Sequence, residues 1–288
     1  MAKKAPKDLA ASVRQRLLNL SRTKGQIFDV VLVTYGLERL IYRLSISDHR
    51  NNFVLKGGML VKFWTEDENR VTRDADFLAH GESTEAHLKT VFTEVMNIQV
   101  DDGIVFDAAA LAAAPIRADQ EYGGMRLKTI AHIGTTRIPI TIDIGFGDAI
   151  AEPEYTIDYP SILDMPSARI RAYPPATVIA EKFQAIVDLG LANGRMKDYY
   201  DLWAIPNAMA IEPAALDAAI RATFERRNTN IPSEMPIGLS AEFASDEQKA
   251  AQWKAYAASI DLNGLSLEVV IETIWTYIGP SCQRITSE

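Results

Sequence analysis

Four isoleucines at alternate positions, Ile138, Ile140, Ile142 and Ile144, narrow the folding options of this chain more than any other run in it. Successive side chains of a strand point to opposite faces, so the run makes a strand with one wholly apolar face. The stretch from Gly124 to Ile133 alternates in the same manner, and Gly134-Thr135-Thr136 supplies a turn between the two. Together they predict a β-hairpin with one side against a core. Asp143 stands between two of the isoleucines and therefore belongs on the opposite face. Gly145, Gly147 and Asp148 follow just beyond.

Strand and helix patterns alternate upstream of the hairpin. Apolar residues recur at helical spacing from Asp8 to Leu20 (Leu9, Val13, Leu17, Leu20) and again from Gln26 to Leu44. Phe53 to Lys56 reads as a short strand, with Gly57-Gly58 opening a helix through Trp64. Asp74 to Leu78 reads as the next strand, Ser83 to Asn97 as a helix capped by Ser83, and Gly103 to Phe106 as a strand. Residues 1–160 are therefore expected to form an α+β core, a mixed sheet flanked by helices. After Pro160 the pattern turns helical: Ala176 to Leu189 behind Pro174-Pro175, a loop from Gly190 to Gly194, then Met196 to Ala204, Pro213 to Arg226, Ala241 to Ile260 and Leu265 to Ile278. Residues 161–288 are expected as a mainly helical C-terminal domain that contributes to the active site.

Composition removes several function classes. With 288 residues, 48% of them hydrophobic, the chain can bury one large core or two smaller ones. A net charge of -8 argues against coating nucleic acid by bulk electrostatics, while leaving room for a local basic groove. The single cysteine, Cys282, permits neither an internal disulfide nor a thiolate cluster, which fits a reducing, cytoplasmic setting. Met1 to Lys7 is charged without a following signal-type apolar core, and no run of about 18 apolar residues occurs, so no membrane partner is expected. His49, His80, His87 and His132 lack metal-ligand spacing, and neither a Gly-x-Ser-x-Gly nor a P-loop run is present. Zinc enzymes, serine hydrolases and P-loop NTPases thus have no support.

The chemistry is carried by two constellations. In Arg73-Asp74-Ala75-Asp76-Phe77-Leu78 the two aspartates sit at i and i+2, hence on one face of a strand. Carboxylates that close repel each other, and a hard divalent cation relieves the repulsion while bridging to phosphate oxygens. Alone, Asp-x-Asp is as well read as a solvated edge. Asp143 on a separate strand adds a third acid, enough for two metals or for one metal and a base, with Asp148 as the competing third carboxylate. Gly57-Gly58, between strand and helix and beside Lys56, lets backbone N–H groups approach phosphate oxygens at a helix N-terminus, although such pairs are more often plain turns. The second constellation runs from Glu181-Lys182 through Arg195-Met196-Lys197-Asp198-Tyr199-Tyr200-Asp201-Leu202-Trp203. Lys182 lies within an apolar helical face, where it either snorkels outward or reaches a triphosphate. Asp198 and Asp201 share a helix face, from which one of them could orient Lys182 or Arg195.

Taken together, Phe53-Val54-Leu55-Lys56-Gly57-Gly58, Arg70-x-Thr72-x-Asp74-x-Asp76-Phe77, Ile142-Asp143-Ile144, Lys182 and Lys197-Asp198-x-x-Asp201-Leu202 resemble the AbiEii/AbiGii-type nucleotidyltransferase toxins. The resemblance covers Gln26 to Trp203, and Phe224-Glu225-Arg226-Arg227 with Gln252-Trp253 is similar to that family's helical tail. Members are the toxin halves of type IV toxin-antitoxin, abortive-infection pairs within the DNA polymerase β-like nucleotidyltransferase superfamily. The resemblance implies a nucleotidyltransferase-like core in which Asp74, Asp76 and Asp143 hold Mg²⁺, with Mn²⁺ as an alternative. It implies Lys182 and Asp198 as further catalytic residues. Lys56, Gly57, Gly58, Thr72, Arg195, Lys197 and Asp201 would bind the nucleotide, Thr72 standing where relatives carry serine or threonine. One departure is that the superfamily's Gly-Ser signature is here Gly58-Met59, a change that AbiEii-like proteins tolerate.

The implied reaction is transfer of a nucleoside monophosphate from an NTP to an acceptor hydroxyl, an NTP-dependent activity of the EC 2.7.7 type. The implied acceptor is an RNA such as tRNA, met by Arg70, Arg73, Arg126, Lys128, Arg195 and Lys197, and a cognate antitoxin is the implied protein partner. Two other classes fit the same fold: a small-molecule nucleotidyltransferase of the antibiotic-modifying kind, and a non-catalytic protein that binds nucleotide or antitoxin.

Overall fold

The computed structural model describes residues 8–116, 124–148, 155–262 and 264–287, so the charged start from Met1 to Lys7 lies outside the described residues. In chain order the elements are α1 (Leu9–Lys24), α2 (Phe28–Ser45), β1 (Phe53–Lys56), α3 (Gly58–Thr65), β2 (Ala75–Ala79), α4 (Glu85–Met96), β3 (Val105–Phe106), β4 (Ala112–Pro115), β5 (Met125–Ile133), β6 (Thr136–Phe146), β7 (Tyr155–Tyr159) and β8 (Ala168–Ala172). Helices follow: α5 (Pro175–Leu189), α6 (Met196–Ala208), α7 (Pro213–Arg226), α8 (Ala241–Ser245), α9 (Glu247–Ser259) and α10 (Leu267–Ser287). The class is α+β, as the patterns predict.

The hairpin forms as expected, tightened to a two-residue turn at Gly134-Thr135 with Ile133 opposite Thr136. It anchors a mixed sheet of eight strands among the described residues, ordered β3-β5-β6-β2-β1-β8-β7 with β4 also pairing β5. The parallel pairs are β2 with β6 and β1 with β8. Ile138, Ile140, Ile142 and Ile144 are all buried, and α2 lies over β6 and β8 on that apolar face. Gly36 lets this helix come close, since a Cβ there would stand 2.7 Å from Ile140 Cδ1. Within the same layer Asp102, fully buried, receives Nε of Arg39 at 3.0 Å and Nη1 of Arg43 at 2.7 Å, tying α2 to the segment before β3.

Two compact units result. The first holds the described residues of 1–59, 71–147 and 155–172, and the second those of 60–70, 148–154 and 173–288. The first unit runs on through Ala172, past the expected division at residue 160, because β8 pairs with β1 at Leu55 and Ala172. The second is helical: α5 packs on α6 and α7, and α10 on α6, α7 and α8. Phe183 meets Phe224 with ring centroids 5.5 Å apart, and Tyr199 stacks on Phe243 at 5.2 Å.

Other departures are local. The cap of α4 is Thr84 rather than Ser83, its side chain accepting from the backbone N–H of His87. The single helix expected from Ala241 to Ile260 is broken at Asp246, whose extended backbone and side-chain bond to Lys249 N start α9 afresh. No helix of the described residues is long and apolar enough to cross a membrane.

Candidate active site

Register places the acidic group. Across four neighbouring strands Lys56 pairs with Asp76, Asp76 with Asp143, and Asp143 with Arg126, so one rung of the sheet reads base, acid, acid, base. Asp76 and Asp143 are half-buried while their strand neighbours Ala75, Phe77, Ile142 and Ile144 are buried, which puts both acids on the face away from α2. Asp74, two residues before Asp76, adds a third carboxylate. One oxygen from each of Asp74, Asp76 and Asp143 lies within 4.8 Å of the others. Among the described residues this is the carboxylate group that could hold a metal, and it contains Asp143 rather than Asp148. The Tyr173 hydroxyl donates to Asp148 Oδ2 at 3.2 Å.

Each acid has a support. Thr72 donates its hydroxyl to Asp74 Oδ1 at 2.7 Å, so the residue expected to bind nucleotide also fixes a carboxylate. Gly57 sits at φ +72°, where a Cβ would stand 2.0 Å from Asp76 Oδ2. Only glycine suits both the left-handed backbone and the carboxylate lying over it. Arg126 forks onto Asp143, Nε to Oδ1 at 2.7 Å and Nη2 to Oδ2 at 2.6 Å. That hydrogen bonding raises the Arg126 pKa above its ordinary value despite some burial, helped by the charges of Asp143, Asp74 and Asp76. Sequence reasoning assigned Arg126 to an RNA-binding surface and missed this clamp. Counting pairs outward from a two-residue turn at Gly134-Thr135 would have found it. Met59, at the position of the superfamily's serine, is 1% exposed and serves the core.

The donor set suits a divalent cation. All three ligand groups are carboxylates, hard oxygen donors of the type Mg²⁺ and Mn²⁺ take, and their mutual repulsion favours an ion between them.

The second constellation assembles inside the second unit. Lys182 on α5 donates to Asp198 at 2.7 Å and lies 2.8 Å from Asp201 Oδ2, both acids on α6. Arg70 forks onto Asp201, Nε to Oδ1 at 2.7 Å and Nη2 to Oδ2 at 2.8 Å, and Arg195 Nε lies 2.7 Å from Asp198 Oδ2. Burial works against the Lys182 charge, but Asp201 and Asp198 outweigh it and hold its pKa above the ordinary value. Burial likewise opposes ionisation of Asp201, yet Lys182 and Arg70 bring its pKa below the usual carboxylate range. The contacts of Lys182 are those of a lysine oriented by the two aspartates of α6, the arrangement their shared helix face allowed. Its side chain is 12% exposed and committed to two aspartates. Arg70, expected on a basic surface, is also buried, because Asp201 draws it inward. Arg195, just before α6, and Lys197 on its first turn remain exposed, as does Arg73 in the first unit.

Comparison with known proteins adds an independent line. The profile of a protein family described as nucleotidyl transferase AbiEii toxin, type IV TA system, matches residues 39–276. A candidate nucleotidyltransferase from H. pylori, solved by crystallography, matches at 17% identity and TM-score 0.44, over 87% of this chain and 92% of its own. JHP933 from Helicobacter pylori matches at 14% identity and TM-score 0.41, over 89% and 92%. No curated protein matches the chain.

Proposed function

The chain belongs to the AbiEii nucleotidyl transferase toxin family of type IV toxin-antitoxin systems, and from that premise we propose that it transfers a nucleoside monophosphate from an NTP to an RNA acceptor such as tRNA. The observation that carries the proposal is the convergence of Asp74, Asp76 and Asp143 on one face of the sheet. Asp74, Asp76 and Asp143 are the residues that would hold Mg²⁺, which when bound supplies charge neutralisation of the triphosphate and of the leaving pyrophosphate. Gly57 keeps the backbone bare beside Asp76, and Gly58 starts α3, whose N-terminus would face phosphate oxygens. Thr72 fixes the rotamer of Asp74, and Asp143 orients the acceptor hydroxyl. Within the second unit, Lys182, Arg70, Asp198 and Asp201 lock α5, α6 and the segment before Val71 together, while Arg195 and Lys197 offer exposed cations to anionic ligand.

A cytoplasmic setting fits this role, as does the state of Cys282. Burial removes that thiol from reach and pushes its pKa up to about 12. The family role implies a cognate antitoxin as partner. The acceptor class is tested by offering the purified chain each labelled NTP with Mg²⁺, together with either total tRNA or an aminoglycoside. Label in the tRNA is the expected result. Label in the aminoglycoside alone would make the chain a small-molecule enzyme, and nucleotide binding without label in either would make it a binding protein.

A further inference from the structure

We propose that Arg126 is an exchangeable counter-ion of the third carboxylate: it clamps Asp143 while the acidic group lacks a cation, and lets it go when a divalent cation is taken up. The inference rests on the reading that Asp74, Asp76 and Asp143 hold such a cation. Both oxygens of Asp143 accept from the guanidinium fork, at 2.7 and 2.6 Å. Asp143 also supplies one of the three oxygens gathered within 4.8 Å. A guanidinium kept at that distance would face a divalent cation as a like charge a few ångströms away, so the two compete for one carboxylate.

Arg126 is built for release in a way that Arg70, the forked arginine of the buried ion network, is not. Its side chain is 42% exposed, so water can solvate the freed charge, whereas the side chain of Arg70 on Asp201 is 4% exposed. The strand beside it is almost without bulk. Ala114 stands opposite Arg126 and Ala112 opposite Lys128. Ala112 to Ile116, Arg126 and Lys128 line a hollow of about 180 Å³, which gives the guanidinium somewhere to go. The opposing Arg126 charge also answers the repulsion among three carboxylates before a cation arrives. Arg126 is thus a positioning residue that sets cation affinity.

The test is Mn²⁺ titration of the full chain, free Mn²⁺ being read by its paramagnetic resonance signal. Arg126→Met should bind Mn²⁺ about tenfold more tightly than the unsubstituted chain, the scale of one nearby like charge removed at a wet site. Arg137→Met, which removes the same charge from the far end of the hairpin beside His132, should match the unsubstituted chain. Equal or weaker Mn²⁺ binding by Arg126→Met overturns the exchange while leaving the metal site standing. Absence of Mn²⁺ binding by the unsubstituted chain overturns the metal reading and this proposal with it. A second measurement needs no substitution: the Nε–H resonance of Arg126 should move on saturation with Mg²⁺, and an unmoved resonance overturns the exchange even where the Met variant fails to fold.

Discussion

At Gly57 the backbone turns through φ +72° and a Cβ would lie 2.0 Å from Asp76 Oδ2, 2.6 Å from its Cγ and 2.8 Å from its Cβ. Gly57→Ala must therefore move either the turn or the carboxylate. We expect a loss of about 1–3 kcal/mol in denaturant unfolding, the usual cost of a non-glycine residue in a strained conformation. Mn²⁺ affinity should fall in the same variant, because the atoms a Cβ would meet all belong to the Asp76 side chain, which gives way more readily than backbone. Unchanged affinity would mean that the carboxylate over Gly57 is not part of the cation site. At this scale the sequence revealed the acids but not their supports. Asp74, Asp76 and Asp143 were legible from strand periodicity, which dictates which side a residue faces. The Thr72 bond to Asp74 and the Arg126 fork on Asp143 depend on rotamers and strand register, which composition and spacing leave open.

Among the elements, α5 and α6 are joined through charge. Asp201, fully buried, holds Lys182 and Arg70 at once. Asp201→Ala leaves two buried cations without that partner and should destabilise the fold by about 3–5 kcal/mol, read from urea unfolding. The pH dependence has a definite sign. The folded pKa of Asp201 lies below the ordinary 3.8, so its contribution is present above pH 3.8 and is lost as pH falls through the lower folded value. The folded pKa of Lys182 lies above 10.5, so its contribution is present below that pH and is lost as pH rises through the higher folded value. The unfolding midpoint should thus lose this ion network only at acid and alkaline extremes. A difference between the unsubstituted chain and Asp201→Ala that vanishes near neutrality would contradict the assignment. Element reading succeeded where signals are local: β1, the hairpin and α7 lie where periodicity and caps place them. It missed β7 and β8, each five residues long, because β8 owes its place partly to pairing with β1, far away in sequence. It also joined α8 to α9, since periodicity continues across Asp246 while the backbone does not.

For the whole molecule, the two units are not consecutive halves. Residues 60–70 belong to the helical unit and 155–172 to the sheet unit, so the change in composition at Pro160 does not coincide with the structural division. Long-range pairing sets that division, and a one-dimensional pattern does not contain it. The α+β class and the family were legible where that division was not, because strand and helix periods and the spacing of the acids and glycines are local features of the sequence. The most direct measurement is single-turnover transfer from α-labelled NTP to total tRNA by the purified chain, with and without chelator, beside Asp74→Asn. Mg²⁺-dependent labelling that chelation abolishes, and that falls by at least about a hundredfold in Asp74→Asn, is the expected result. Full labelling by Asp74→Asn, or labelling indifferent to chelator, would contradict a cation-holding nucleotidyltransferase site at Asp74, Asp76 and Asp143.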